Sequence, residues 1–238
     1  MNGTGYLQDV TENGFSVFVP FSDTDWIQKH MINEFEVRID DGRTISSDQR
    51  RKTFALIHDI TEFVSAPMPA ARKRENVEML RQMQLLYLID RTDSEAVRRR
   101  LTYHFCELSQ IDLFSLSDVD MTTAREFIDY LVELCVVHGI PCEDTLLNRC
   151  EDIGRYLYSC VANRRCCICG TRADIHHVDH VGLRDRHKIH NLGLRVQPLC
   201  REHHNEVGTI GQKSFDDKYH TESIALDEHL CDILKWRK

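Results

Sequence analysis

Hydrophobic and polar positions change rhythm along the 238 residues of this chain. Near the start the period is two. Phe15, Val17, Val19 and Phe21 alternate with other residues, and Phe35, Val37 and Ile39 alternate with Glu36, Arg38 and Asp40. That spacing predicts strands. Asp41-Gly42 then predicts a hairpin or a strand end. Ser46 stands three residues before Gln49, the spacing of a capping box. A helix is expected from about Asp48 to Val64, with Leu56, Ile57, Ile60, Phe63 and Val64 on one face. Pro67 and Pro69 end it.

From Ala70 the period is helical. Met79, Leu80, Met83, Leu86 and Tyr87 form one stripe. Phe127, Ile128, Leu131, Leu134 and Cys135 form a second, expected to begin after Thr122 or Thr123 and to stop at Gly139-Ile140-Pro141. Leu146, Leu147, Cys150, Ile153, Leu157, Cys160 and Val161 form a third. Met and Tyr in these stripes read as core. No internal repeat is visible. The softest boundary is Gly139–Asp144, so the chain is expected to divide into regions 1–144 and 145–238. The class is α+β, a β-hairpin and helical N-terminal region followed by a helical segment and a distinct C-terminal domain.

Composition adds little to this, but the distribution of charge adds a good deal. At 42% hydrophobic and 29% charged residues the chain reads as globular. No window approaches 18 uninterrupted apolar residues, so no membrane span is expected. The segment MNGTGYLQDV has neither the basic nor the apolar region of a secretory signal. The net charge of -8 at first argues against nucleic acid. However, residues 151–238 sum to +1 and hold nine of the thirteen histidines, leaving -9 on residues 1–150. Three basic runs stand in that acidic part: Arg50-Arg51-Lys52, Arg72-Lys73-Arg74 and Arg98-Arg99-Arg100. They read either as solvated helix faces or, if they converge, as phosphate contacts.

Ten cysteines without a secretory signal point to a reducing compartment. Cys106, Cys135, Cys142, Cys150, Cys160 and Cys231 are scattered, and several read as small core residues. Cys166 and Cys169 form a C-x2-C, and Cys200 and His203 form a C-x2-H some thirty residues later. Such spacings let tight turns present four N/S donors to one tetrahedral ion, the preference of structural Zn²⁺. Cys167 is out of register and reads as a non-ligand. A redox C-x2-C is the alternative, but it leaves the second pair unexplained. Between the two pairs lie His176-His177 and Asn191, and His204 follows His203.

This ordered series resembles the HNH endonuclease family over about Cys166 to His220. The resemblance implies a C-terminal zinc-stapled ββα-metal (HNH) domain. It implies His176 and His204 as ligands of a catalytic Mg²⁺ or Mn²⁺, His177 as general base and Asn191 as the residue that orients it. Cys166, Cys169, Cys200 and His203 become the structural zinc set. The family often has a further histidine four residues after the His204 position, where this chain has Gly208. Asp174, Asp179, His180 or Asp185 could compensate. Val181-Gly182-Leu183-Arg184-Asp185-Arg186, Leu199–His204 and Lys218-Tyr219-His220 look like the HNH nucleases of phages and prophages. Phe35–Lys52 is similar to the Orf recombination mediator of lambdoid phages, which binds single-stranded DNA as a dimer.

The expectation is therefore a metal-dependent DNA endonuclease acting on recombination or replication intermediates in the cytoplasm of a bacterial host cell. A neutral histidine near pH 7 can take a proton from water, whereas Asn191 can only orient. Arg184, Arg186, Arg50 and Arg51 are the expected phosphate contacts. Single-stranded or branched DNA ranks ahead of plain duplex, no membrane is involved, and a homodimer is compatible. A non-catalytic, zinc-stapled single-stranded DNA-binding mediator is the second reading, favoured by Gly208. A zinc-bearing protein-interaction module is the third.

Overall fold

Strand β1 (Tyr6–Thr11) pairs antiparallel with β2 (Gly14–Phe18), with Tyr6 opposite Phe18 and Thr11 opposite Gly14. The computed structural model describes residues 6–11, 14–18, 20, 29, 42–65, 93–179 and 190–238. The readings placed on Val19, Phe21, residues 35–41, Pro67, Pro69, the stripe Met79–Tyr87 and Arg72-Lys73-Arg74 lie outside those residues. Residues 1–41 form one unit, which holds the hairpin, and residues 42–238 form a second. The alternation at Phe15 and Val17 is that of β2, while β1 had no counterpart in the hydrophobic pattern.

The second unit begins at a positive-φ glycine, Gly42, and enters helix α1 (Ser47–Ser65). The expected capping box is present in both directions: the Gln49 amide donates to Ser46 Oγ and the Ser46 amide to Gln49 Oε1, each at 3.1 Å. Two orphan N–H groups of the first turn are thereby satisfied. Leu56, Ile57 and Ile60 are buried, and Phe63 and Val64 pack partly against the same core.

Helix α2 (Ser94–Ser109) is capped by Asp93, and α3 (Met121–His138) by Asp120, whose carboxylate accepts from the Thr123 amide at 2.8 Å. That cap starts α3 slightly earlier than the apolar stripe indicated. Gly139 closes it in the left-handed conformation, as the Gly-Ile-Pro signal predicts. Phe127, Ile128 and Leu131 of α3 are fully buried. Each contributes roughly 1.5–3 kcal/mol of burial. The Phe127 ring lies 5.2 Å from that of Phe105 and 5.5 Å from that of Phe114.

The third stripe is two helices, α4 (Leu146–Arg149) and α5 (Ile153–Ala162). Hydrogen bonding causes the break. Asp129 Oδ1, reaching across from α3, accepts from the amides of Glu151 and Asp152 at 2.8 and 3.1 Å. Asp152 then caps α5 through the Arg155 amide. Polar groups outside the stripe thus override its continuous period. Arg149 at the end of α4 is paired with Asp59 of α1, both nearly excluded from solvent.

Helix α5 leads into a three-stranded antiparallel sheet in the order β3 (Asp174–His177), β4 (Arg195–Leu199), β5 (Ile224–Ala225). Helices α6 (Arg201–Ile210) and α7 (Gln212–Tyr219) follow β4, and α8 (Glu228–Leu234) follows β5. A second small core gathers Val161, Val196, Leu226, Leu230, Cys231 and Leu234, with Ile175 and Trp236 at its edge. Among the described residues no helix is long and apolar enough to cross a membrane.

Candidate metal centre and active site

The turn after α5 carries the first two cysteines. Gly170 takes a positive φ of 69°. Its amide donates to the Cys166 carbonyl at 2.8 Å, and the Cys166 amide to the Thr171 carbonyl at 2.7 Å. This knuckle is anchored to β4 by the Cys167 amide on the Pro198 carbonyl, and to α5 by the Tyr156 hydroxyl on the Cys167 carbonyl. Cys200 leaves β4 and caps α6, so His203 returns on the first turn of that helix.

One donor atom from each of Cys166, Cys169, Cys200 and His203 lies within 4.8 Å of every other. Cys169 Sγ and Cys200 Sγ are 3.7 Å apart. His203 Nδ1 lies 3.5 Å from Cys166 Sγ and 3.1 Å from Cys200 Sγ. Four such ligands arranged tetrahedrally around Zn²⁺ would stand about 3.5–3.8 Å apart, so the residues fit such an ion. Burial pushes the Cys166 thiol up to about 12. At Cys169 burial also acts upward, but hydrogen bonds with Thr171, Cys166 and Cys200 together outweigh it and leave the thiol below its ordinary value. A buried thiol of the first kind becomes a thiolate when a cation compensates it. Cys167 is fully buried in the core and outside the four-donor group.

Strand β3 then places adjacent histidines on opposite faces, as a two-residue period requires. His176 stands opposite Gln197 in the sheet and faces α6: its Nδ1 is 3.1 Å from Nε2 of His204, and the two rings meet edge to face. Two nitrogens about 3 Å apart can share adjacent positions on one octahedral cation. Burial above all, and then the neighbouring His204, hold the His176 imidazole below its ordinary pKa. That direction favours the neutral form, the one that binds metals.

His177 faces the other way. Its Nε2 is 3.2 Å from Asn191 Oδ1, and its ring is stacked on that of Trp236, with centroids 5.0 Å apart and planes at 14°. Asn191 is buried at the head of the turn into β4. Its Nδ2 donates to the Arg237 carbonyl at 3.2 Å, and its backbone amide to the same oxygen at 3.0 Å. Because Nδ2 is committed to a carbonyl, Oδ1 is the atom presented to His177. His177 Nε2 is then the donor, which in the neutral ring leaves the lone pair on Nδ1.

Other expected site residues are placed differently. Gly208 lies one helical turn beyond His204 on α6, and a Cβ added there would meet nothing within 4 Å. Asp179 is taken by Arg195, which donates from its amide at 2.7 Å and from its guanidinium at 2.7 and 3.0 Å. Asp174 is exposed at the start of β3. His180, Arg184, Asp185 and Arg186 lie outside the described residues. Arg50 and Arg51 sit on the first turn of α1, Arg50 donating to the Ser117 carbonyl and Arg51 pairing with Asp48, each at 2.8 Å. Of the third basic run, Arg98 and Arg99 are both bound to Glu95. Trp236 and the Arg237 carbonyl were missed in the sequence. A lone tryptophan near a chain end carries no motif, and a backbone carbonyl carries no signature at all.

A family model described as "Putative HNHc nuclease" matches residues 77–237, about two thirds of the chain. No curated protein and no solved structure matches it.

Proposed function

The chain belongs to the HNH nuclease family, and from that premise we propose that it is a metal-dependent endonuclease hydrolysing DNA phosphodiester bonds. The observation that carries this reading is the arrangement around β3. A histidine paired with an oriented asparagine, His177 with Asn191, adjoins a histidine whose nitrogen meets that of His204. We read β3, β4 and α6 as a ββα-metal unit and the Cys166, Cys169, Cys200 and His203 cage as its structural zinc staple. With zinc bound, the cage would hold together a segment with few apolar residues of its own.

In this reading His176 and His204 hold a Mg²⁺ or Mn²⁺ ion. When bound, that cation supplies Lewis-acid stabilisation to the scissile phosphate and the leaving oxygen. The remaining work falls to the protein. His177 takes the proton of the attacking water at Nδ1, the nitrogen left free by its bond to Asn191. Asn191 has no acid–base capacity and holds the ring in that tautomer. Arg184, Arg186, Arg50 and Arg51 bind flanking phosphates, which makes binding salt-dependent and largely indifferent to sequence. Region 1–144 serves as a mediator-like DNA-binding part and region 145–238 as the nuclease, acting on single-stranded or branched intermediates of phage recombination or replication. DNA is favoured over RNA because no aromatic-rich stacking platform stands out in the sequence.

The test is to incubate wild type and His177→Ala with single-stranded, duplex and branched DNA in Mg²⁺ or Mn²⁺, with EDTA controls and zinc content measured alongside. We expect wild type to cleave only with added metal, and His177→Ala to be slower by about 10²–10⁴-fold with its zinc retained. Equal cleavage by both would place the base elsewhere. Inactivity of both with DNA binding intact would favour the non-catalytic mediator.

A further inference from the structure

The residues that support His177 are themselves held by the end of the chain. Trp236 lies flat on the His177 ring. The Arg237 carbonyl accepts from both the amide and Nδ2 of Asn191. The Lys238 carbonyl accepts from His190 Nδ1 at 2.8 Å. Three consecutive residues thus engage the base, its orienting asparagine and the residue before that asparagine. The segment has a fixed origin. Lys235 ends α8 in the left-handed conformation. The Trp236 amide donates to the Cys231 carbonyl at 2.8 Å, and Lys238 Nζ pairs with Asp232 at 2.9 Å.

We propose that Trp236–Lys238 is a positioning strap that sets the plane and the tautomer of His177. This rests on the reading of His177 as general base. The two parts of the strap act on the same bond, that between His177 Nε2 and Asn191 Oδ1. The Arg237 carbonyl occupies the Asn191 amino group, so the amide cannot turn over and present N–H to His177. Were it to turn over, Nε2 would become the acceptor and the proton would move to Nδ1, the nitrogen needed as the base. Trp236 covers one face of the imidazole and opposes rotation about its terminal side-chain torsion, which is otherwise broad and roughly two-fold for histidine, and a ring turned about that torsion loses the Asn191 bond and with it the selected tautomer. Together they fix the direction of the Nδ1 lone pair, and a small misplacement of such a group costs about 10²-fold in rate. The strap contributes no group that touches the reacting atoms.

The test compares wild type, Trp236→Ala and Trp236→Phe in the zinc-loaded protein. Two readouts are taken: kcat against KM on DNA, and the imidazole ¹⁵N spectrum of His177 without added Mg²⁺. The strap predicts a single Nε2–H tautomer in wild type. In Trp236→Ala it predicts mixed tautomers and a kcat reduced by about 10²-fold at unchanged KM, both largely restored in Trp236→Phe, which keeps a flat ring. Thermal melting of each variant separates this from a general loosening of the small core that Trp236 borders. Wild-type kcat and a single tautomer in Trp236→Ala would overturn the strap, as would equal loss in both variants with the tautomer unchanged. If wild type does not cleave DNA at all, the nuclease reading fails, whereas the ¹⁵N spectra still decide whether the strap sets the tautomer.

Discussion

Asn191 and Asp59 show how much a single side chain decides when its partners are fixed. The Asn191 amino group is turned to the Arg237 carbonyl, which orients the amide so that its oxygen faces His177. Asp59 and Arg149 form an ion pair whose side chains are 9% and 7% exposed. Their mutual attraction is offset by desolvation, so the pair adds little net stability over a well-packed apolar alternative. Removing one partner is a different matter, because the other charge is left buried without compensation. Asp59→Ala should therefore cost about 3–5 kcal/mol in urea or thermal unfolding. A loss under 1 kcal/mol would mean that Arg149 finds water or another acceptor. The ion pair is remote in sequence, and no local pattern around Asp59 announces it.

At the scale of elements, α6 is the informative case. His203 and His204 leave its first turn toward the two proposed metal sites, one toward the cysteine cage and one toward His176. Residues four apart share a helix face, so position 208 lies over the same side as His204. Gly208 leaves that place open, and a Cβ added there meets nothing within 4 Å. Gly208→His should tighten Mn²⁺ binding in calorimetry, by roughly tenfold or more for one added nitrogen ligand, with zinc content unchanged. It should also stabilise α6 by some tenths of a kcal/mol, since glycine inside a helix costs about 1 kcal/mol relative to alanine. Unchanged Mn²⁺ affinity would place the cation away from the His204 face.

The same elements show what the sequence made legible. The α1 cap was plain because Ser46 and Gln49 answer each other across three residues. The four cage donors were plain because tight turns impose short spacings on them. The break between α4 and α5 was not, since it is made by Asp129, more than twenty residues away on α3. Strand β1 was missed because its Tyr6, Val10 and Thr11 follow no clean alternation. Trp236 was missed because its partner, His177, is about sixty residues distant.

For the molecule as a whole, two proposed metal sites of different chemistry lie within the unit of residues 42–238. The cage offers three sulfurs and one nitrogen, a soft set suited to zinc. The pair His176 and His204 offers two nitrogens, and a hard cation held there would take its other ligands from water and phosphate oxygens. The account requires these sites to have separate tasks, folding at one and hydrolysis at the other. The most direct measurement is the rate of DNA cleavage by the zinc-loaded protein as Mg²⁺ or Mn²⁺ is titrated in, with zinc content followed at each point. Separate sites give no cleavage with zinc alone, a saturable rise with added cation, and no change in bound zinc. Cleavage that proceeds at full rate without added cation, or a rate that follows bound zinc, would contradict that separation.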